Sequence, residues 1–451
     1  NLETLEYEAP KNPRFESVGK HRKVEPTGER IKRLIAETDR AGEYLFHLHA
    51  FYLAYASHRV PEITETIYNV DNGQKWGFSH ELGPFEIWDA IGEIWDAIGV
   101  AESIPRFEAA GYPVADWVKQ MVSNPATPTF YQRDANGIAT GYYSPTDAAY
   151  LPLPVDPLAI TVKGLRTGAR SNGVVAKNDS ASLIDMGDGV ALFEFHSQAL
   201  AIDADLVEMG YKALELADRD FDALVVGHDG ERFCIGANVF MVVMAVNSGL
   251  MDQLEESIKR LQDLTQAMRY HRKPVVVAPF NMALGGGAEL LMAGTKTVAH
   301  AELYAGLVEL GVGLIPAGGG CKELLRRVVN PVMAQSTNAN VIPHLQKVFE
   351  QIATAKVSTS AMEARDMGFL SADDVIVMNR DHLLGEAKRV AGRPSGLLSR
   401  WRSTIHLANR VRCGPPGVMS TRHCCWVSKA SARDNMPPST MRTSAASWPM
   451  C

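Results

Sequence analysis

The segment from Pro274 to Gly294, PVVVAPFNMALGGGAELLMAG, constrains the fold more than any other stretch of the chain. It is the longest apolar run and approaches the length that spans a bilayer. Asn281, Glu289 and three consecutive glycines argue against a lipid-facing helix, because they would leave polar groups in hydrocarbon. The β-branched run, the glycines and the Ala, Glu, Leu and Met that follow read instead as a strand, a Gly-rich turn and the N-terminus of a helix. A strand that feeds a helix in this way belongs to an α/β domain.

The flanking sequence continues the alternation. ASLIDMGDGVALFEF gives two β segments around Gly187 to Gly189, and DADLVEMGYKALELA gives an amphipathic helix. ALVVGH at 223–228 is a strand, and DQLEESIKRLQDLTQAMRY is a long helix leading into PVVVA. Upstream the period changes. Ile31, Leu34, Ile35, Leu45, Leu48 and Leu53 fall at helical spacings, Pro61 is expected to restart a helix, and Gly77, Gly83 and Pro84 mark turns. With 451 residues the chain has room for about three structural units. The expected division is an α-helical unit over 1–120, a linker with short strands over 121–178, an α/β domain over 179–392 and an irregular basic tail over 393–451.

Two features of this division bear on its interpretation. EIWDAIG occurs twice in tandem, at Glu86–Gly92 and Glu93–Gly99. Seven residues advance a helix by about 700°, so a second copy keeps the apolar face, and the repeat reads as a duplication or sequence artefact rather than a functional motif. The tail carries nine Lys or Arg against the single acid Asp434, together with Cys413, Cys424, Cys425 and Cys451. A basic nucleic-acid arm is one reading; translation in a shifted frame is the other, and the abrupt rise of Arg, Cys, Ser and Trp favours it. Adjacent Cys424 and Cys425 lack the loop of a zinc knuckle, so no metal is expected.

The remaining composition narrows the function classes. A net charge of -7 from 45 basic and 52 acidic side chains supplies no general field for nucleic acid or an anionic membrane. Only Cys234 and Cys321 precede the tail, which fits a reducing, cytoplasmic compartment. The opening NLETLEYEAPKNPRFE has no apolar core of a secretory signal, and its first residue is not methionine, so an upstream portion is expected.

Three segments of the α/β domain point to one chemistry. In RFCIGANVF, Arg232 to Phe240, a glycine before a helix leaves the N–H of Ala237 unpaired. In ALGGGAE, Ala283 to Glu289, the glycines let a ligand approach the main chain at a helix N-terminus, and Gly286 supplies a second N–H. Two such donors aimed at one thioester oxygen would stabilise an enolate. The third segment, LVELGVGLIPAGGG, carries Glu309 twenty positions after Glu289. Both carboxylates follow apolar or glycine residues, where ionisation is costly, and two carboxylates around one water can add or remove it across a double bond.

On these residues the sequence resembles the crotonase family of enoyl-CoA hydratases and isomerases over roughly residues 181 to 392, with SAMEARDMGFL, Ser360 to Leu370, similar to the family's later helix-turn. The resemblance implies a crotonase-like ββα spiral. It implies that Ala237 and Gly286 are the oxyanion amides, that Glu289 and Glu309 are the acid/base pair, and that Asn238 and Gly285 contact substrate. WGFSHELGPFEIWDAIG, Trp76 to Gly92, resembles the C-terminal helical domain of 3-hydroxyacyl-CoA dehydrogenases, as in bifunctional proteins of fatty-acid β-oxidation.

The expected activity is therefore hydration of a trans-2-enoyl-CoA, with double-bond isomerisation and a non-catalytic assembly fragment as the alternatives. The expected partners are an acyl-CoA thioester and a homo-oligomer or fatty-acid oxidation complex, with no nucleic acid and no membrane span. No cofactor is expected, and NAD would belong to a longer parent, since no GxGxxG follows a strand here. In HSQALAID, His196 to Asp203, Gln198 and Leu200 stand where the family has a basic residue and Asn, a departure at the contacts to CoA adenine and phosphate. His196 reads as a surface or half-buried strand end. Cys234 reads as core packing rather than as a nucleophile.

Overall fold

The computed structural model describes residues 4, 6–7, 13–92, 100–168, 171–336 and 338–392. The second EIWDAIG copy and the basic tail lie outside the described residues. The chain forms two compact units, one built mainly from residues 1–176 with 184–187 and 377–386, the other from 177–183, 188–376 and the residues after 386.

The first unit is mainly helical. The apolar pattern between Gly28 and Val60 forms two helices, Thr27–Ile35 and Arg40–His58. The break falls where Asp39 caps the second helix by accepting from Gly42 N at 2.9 Å, an oxygen that also accepts from the Ser17 hydroxyl at 2.9 Å. Pro61 does not restart a helix: it sits in a turn, and the next helix is Ile67–Phe78. The first copy of EIWDAIG lies in the helix Pro84–Gly92, whose Phe85 and Trp88 are fully buried.

Residues 121–178 hold a three-stranded antiparallel sheet, Tyr131–Arg133, Ala139–Ser144 and Ala149–Pro152. Its Phe130, Tyr131, Tyr142 and Tyr143 share one core with Phe85, Trp88 and Phe107. Asp89 fastens the join by accepting from Phe130 N at 2.8 Å and Tyr131 N at 2.9 Å. The sequence here has little periodicity because each strand is only three to six residues long.

In the second unit the strands Val190–Phe195, Ala223–Val226, Val275–Val277 and Lys296–His300 lie side by side in parallel. Their near-continuous apolar runs are buried on both faces, as parallel strands with helical crossovers require. The expected helices are present as Ala204–Asp220, capped by Asp203, and Met251–Tyr270. The Pro274–Gly294 segment contains two strands rather than one. Val275–Val277 joins the large sheet, and Asn281–Leu284 pairs in parallel with Leu303–Gly306. The switch comes where Pro279 cannot donate a ladder bond and Asn281 takes φ of 46°, a conformation Asn tolerates. The later helix Ala361–Asp366 is capped by Ser360, with Glu363 reaching back to Thr359 N at 2.9 Å. No helix among the described residues is long and apolar enough to cross a membrane.

Candidate active site

Two glycine turns meet backbone to backbone. Gly236 has φ of 86°, and its carbonyl accepts from Ile202 N at 2.9 Å, which fixes the turn before the helix Val239–Asn247. Gly285 has φ of 53° and opens the helix Gly286–Ala293. A Cβ on Gly236 would stand 2.8 Å from Gly286 N, and one on Gly286 would stand 3.6 Å from Ala237 N. Side chains at either glycine would therefore push the two turns apart, and with them the amides of Ala237 and Gly286 that the turns carry. Neither amide donates in the loop and turn hydrogen bonds of the described residues. Gly287 seats the helix: its missing Cβ would fall 2.2 Å from Cys234 O.

Cys234 is fully buried and its thiol is pushed up to about 12 by burial, as suits a packing residue rather than a nucleophile. Asn238 caps the following helix by accepting from Phe240 N at 3.1 Å, so this structure gives its side chain a structural task. His196 sits just past a strand end, 3.0 Å from the Ser182 hydroxyl.

The two glutamates are held crosswise. Glu289, in the first turn of the Gly286–Ala293 helix, is 4% exposed, and its carboxylate is gripped by the second glycine triplet. Gly320 N donates to Glu289 Oε1 at 2.8 Å, and a Cβ on Gly318 would stand 2.2 Å from Oε2. Glu309 begins a short 3-10 turn, Glu309–Val312, and its Oε1 would lie 3.0 Å from a Cβ on Gly285. Each triplet thus leaves room for the acid of the other segment.

Burial pushes Glu289 up to about 7, and the Glu309 charge adds to the rise, while the amides of Gly320, Gly318 and Gly319 oppose it. Burial also raises Glu309. Its Oε2 is buried without a hydrogen-bond partner in the structure, an expensive state for an acceptor with no task. The half-buried Cys321 thiol is raised by burial and by both carboxylates. A pair of close carboxylates with raised proton affinities retains one proton near neutrality, so one member can donate while the other accepts.

Structure brings Ala237, Gly285, Gly286, Glu289 and Glu309 together. The residues that sequence reasoning missed are Gly318, Gly320 and Cys321. The signal for the glycines was present, since GGG after Pro316 repeats the GGG before Glu289, but the sequence does not say which acid a missing Cβ accommodates.

No protein-family model matches the chain. Over 385 residues it is 40% identical to "Probable 3-hydroxyacyl-CoA dehydrogenase" of Bacillus subtilis (strain 168), a match covering 84% of this chain and 45% of that protein. It is 29% identical over 187 residues to the crotonyl-CoA hydratase of Syntrophomonas wolfei, covering 41% of this chain and 61% of that protein. The chain spans about half the length of the first of these relatives. Among solved structures, an enoyl-CoA hydratase from Polaromonas sp. JS666 aligns with 57% of this chain and 90% of its own at a TM-score of 0.42 and 20% identity.

Proposed function

We propose that the second unit is an enoyl-CoA hydratase that adds water across the double bond of a trans-2-enoyl-CoA. The observation that carries this reading is the convergence of Glu289 and Glu309 beside the two touching glycine turns that carry the amides of Ala237 and Gly286. The thioester oxygen accepts from the two amides as negative charge develops on it. The ionised carboxylate takes a proton from water, the hydroxide oxygen bonds to the β-carbon, and the protonated carboxyl delivers its proton to the α-carbon. Both acids act from one side, so addition is syn, and the proton count of the pair is restored. Gly285 lets the substrate approach the main chain, and Asn238 shapes the turn beside it. Val239, Phe240 and Met241 follow the turn directly and suit an acyl chain.

Hydration moves no net electrons and calls for no cofactor. The dehydrogenation named in the Bacillus subtilis relative is assigned to a longer protein rather than to these residues. A cytoplasmic setting and assembly as a homo-oligomer or within a fatty-acid oxidation complex complete the reading. It is tested by mixing purified protein with crotonyl-CoA and following enoyl absorbance. Loss of absorbance with formation of 3-hydroxybutyryl-CoA is expected. No turnover by a folded chain would overturn the proposal, and 3-hydroxyacyl-CoA oxidation or micromolar NADH binding would overturn the exclusion of NAD.

A further inference from the structure

The glycine loop that grips Glu289 is itself held from outside. Gln262 and Thr265, one turn apart on the helix Met251–Tyr270, face the loop. Gln262 Nε2 donates to Ala317 O at 2.7 Å. The Thr265 hydroxyl lies 3.1 Å from Gly318 O and 2.8 Å from Gln262 O, so its proton is divided between the loop and its own helix. Thr265 is 5% exposed, and water does not replace a donor there without cost.

A carbonyl and the next residue's N–H belong to one rigid peptide plane. Pinning Ala317 O therefore fixes the direction of Gly318 N–H, and pinning Gly318 O fixes that of Gly319 N–H. Both of these amides, with that of Gly320, favour the ionised Glu289 carboxylate. The glycines provide room for the acid but no stiffness, since glycine has the widest backbone freedom of any residue. The stiffness must come from elsewhere, and the two polar side chains of the neighbouring helix are placed to supply it.

We propose that Gln262 and Thr265 are positioning residues for Glu289, which orient the amides around its carboxylate by holding two consecutive carbonyls of the glycine loop. Only the kinetic part of the test rests on the hydratase reading. The direct part is infrared titration of the full chain, in which the protonated carboxyl band of Glu289 is identified by its loss in Glu289→Gln. Thr265→Val and Gln262→Leu are expected to move the titration of that band to higher pH, because less well aimed amides stabilise the carboxylate less. Thr265→Ser, which keeps the hydroxyl, is expected to titrate like the parent.

With crotonyl-CoA, Thr265→Val should lose about tenfold in kcat with KM changed by less than about twofold, the signature of a misplaced group rather than of lost binding. Thr265→Ser should recover most of that loss. Unchanged titration in both Thr265→Val and Gln262→Leu, each shown to be folded by its melting curve, would overturn the proposal. So would a Thr265→Ser variant that behaves like Thr265→Val, since the methyl rather than the hydroxyl would then matter. If the band shifts as expected but the parent hydrates nothing, the reaction fails and the anchoring stands.

Discussion

Asp71 in the helical unit and Glu289 in the α/β unit are both buried acids pushed up to about 7, chiefly by removal from water. Their surroundings differ in what is left over. Asp71 accepts from Phe85 N at 2.8 Å, Glu86 N at 3.2 Å and the Tyr131 hydroxyl at 2.6 Å. It caps the Pro84–Gly92 helix from a neighbouring helix, and the nearby acid, Glu86, is paired with Lys75 at 2.9 Å. The acid beside Glu289 is Glu309, which keeps a buried oxygen without a partner. A raised proton affinity is thus common to a structural cap and a candidate reaction centre. The unspent lone pair distinguishes them.

The contrast is broken most severely at the site. Glu289→Gln and Glu309→Gln are each expected to lower hydration of crotonyl-CoA by about a hundredfold or more while thioester binding persists. Near-normal turnover by either would place that residue with Asp71 among the structural acids. Next, Asp71→Ala should cost about 3 kcal/mol of stability in chemical denaturation, because it leaves a buried amide, a part-buried amide and a buried phenol without their acceptor. A cost under about 1 kcal/mol would show that the cap is dispensable.

A smaller effect is expected at Gly318, where an added methyl meets Glu289 Oε2 rather than rigid backbone. Gly318→Ala should lower kcat by about tenfold, whereas Gly287→Ala, whose methyl meets Cys234 O, should chiefly lower the melting temperature. The reverse pattern would sink the cradle assignment. The gentlest test is pH. Folding raises Asp71 from 3.8 and Glu289 from 4.5, so the native state binds more protons than the unfolded chain between those values and about 7. Their contribution to stability is complete below the ordinary values and is lost as pH rises through about 7. Asp71→Asn and Glu289→Gln should each flatten that decline in denaturation curves measured across this window, and hydration should fall above about 7 as the pair loses its proton.

The strand, glycine turn and helix around Glu289 were legible because each follows from local chemistry: β-branched residues, then glycines, then helix formers. That both carboxylates are withdrawn from water was legible from their apolar settings. The break between Ile35 and Arg40 was not, because the Asp39 cap that fixes it is braced by Ser17, far back in the sequence. Nor was the division of Val275–Leu284 into two strands, which depends on which partner strand each half finds. The loop Gly318–Gly320 was hidden for a further reason. Its contribution is space, and an absent Cβ acquires meaning only when a carboxylate from 31 positions away arrives beside it.

The crosswise holding of Glu289 and Glu309 bears on how this chain acquires chemistry. Neither acid has its final surroundings until the other's segment has docked, so neither segment alone carries a finished site. Closing that contact costs chain entropy before any reward. A nascent chain or a partly opened molecule therefore holds its acids in water, where they are ordinary and inert, and reactivity appears together with the packed fold.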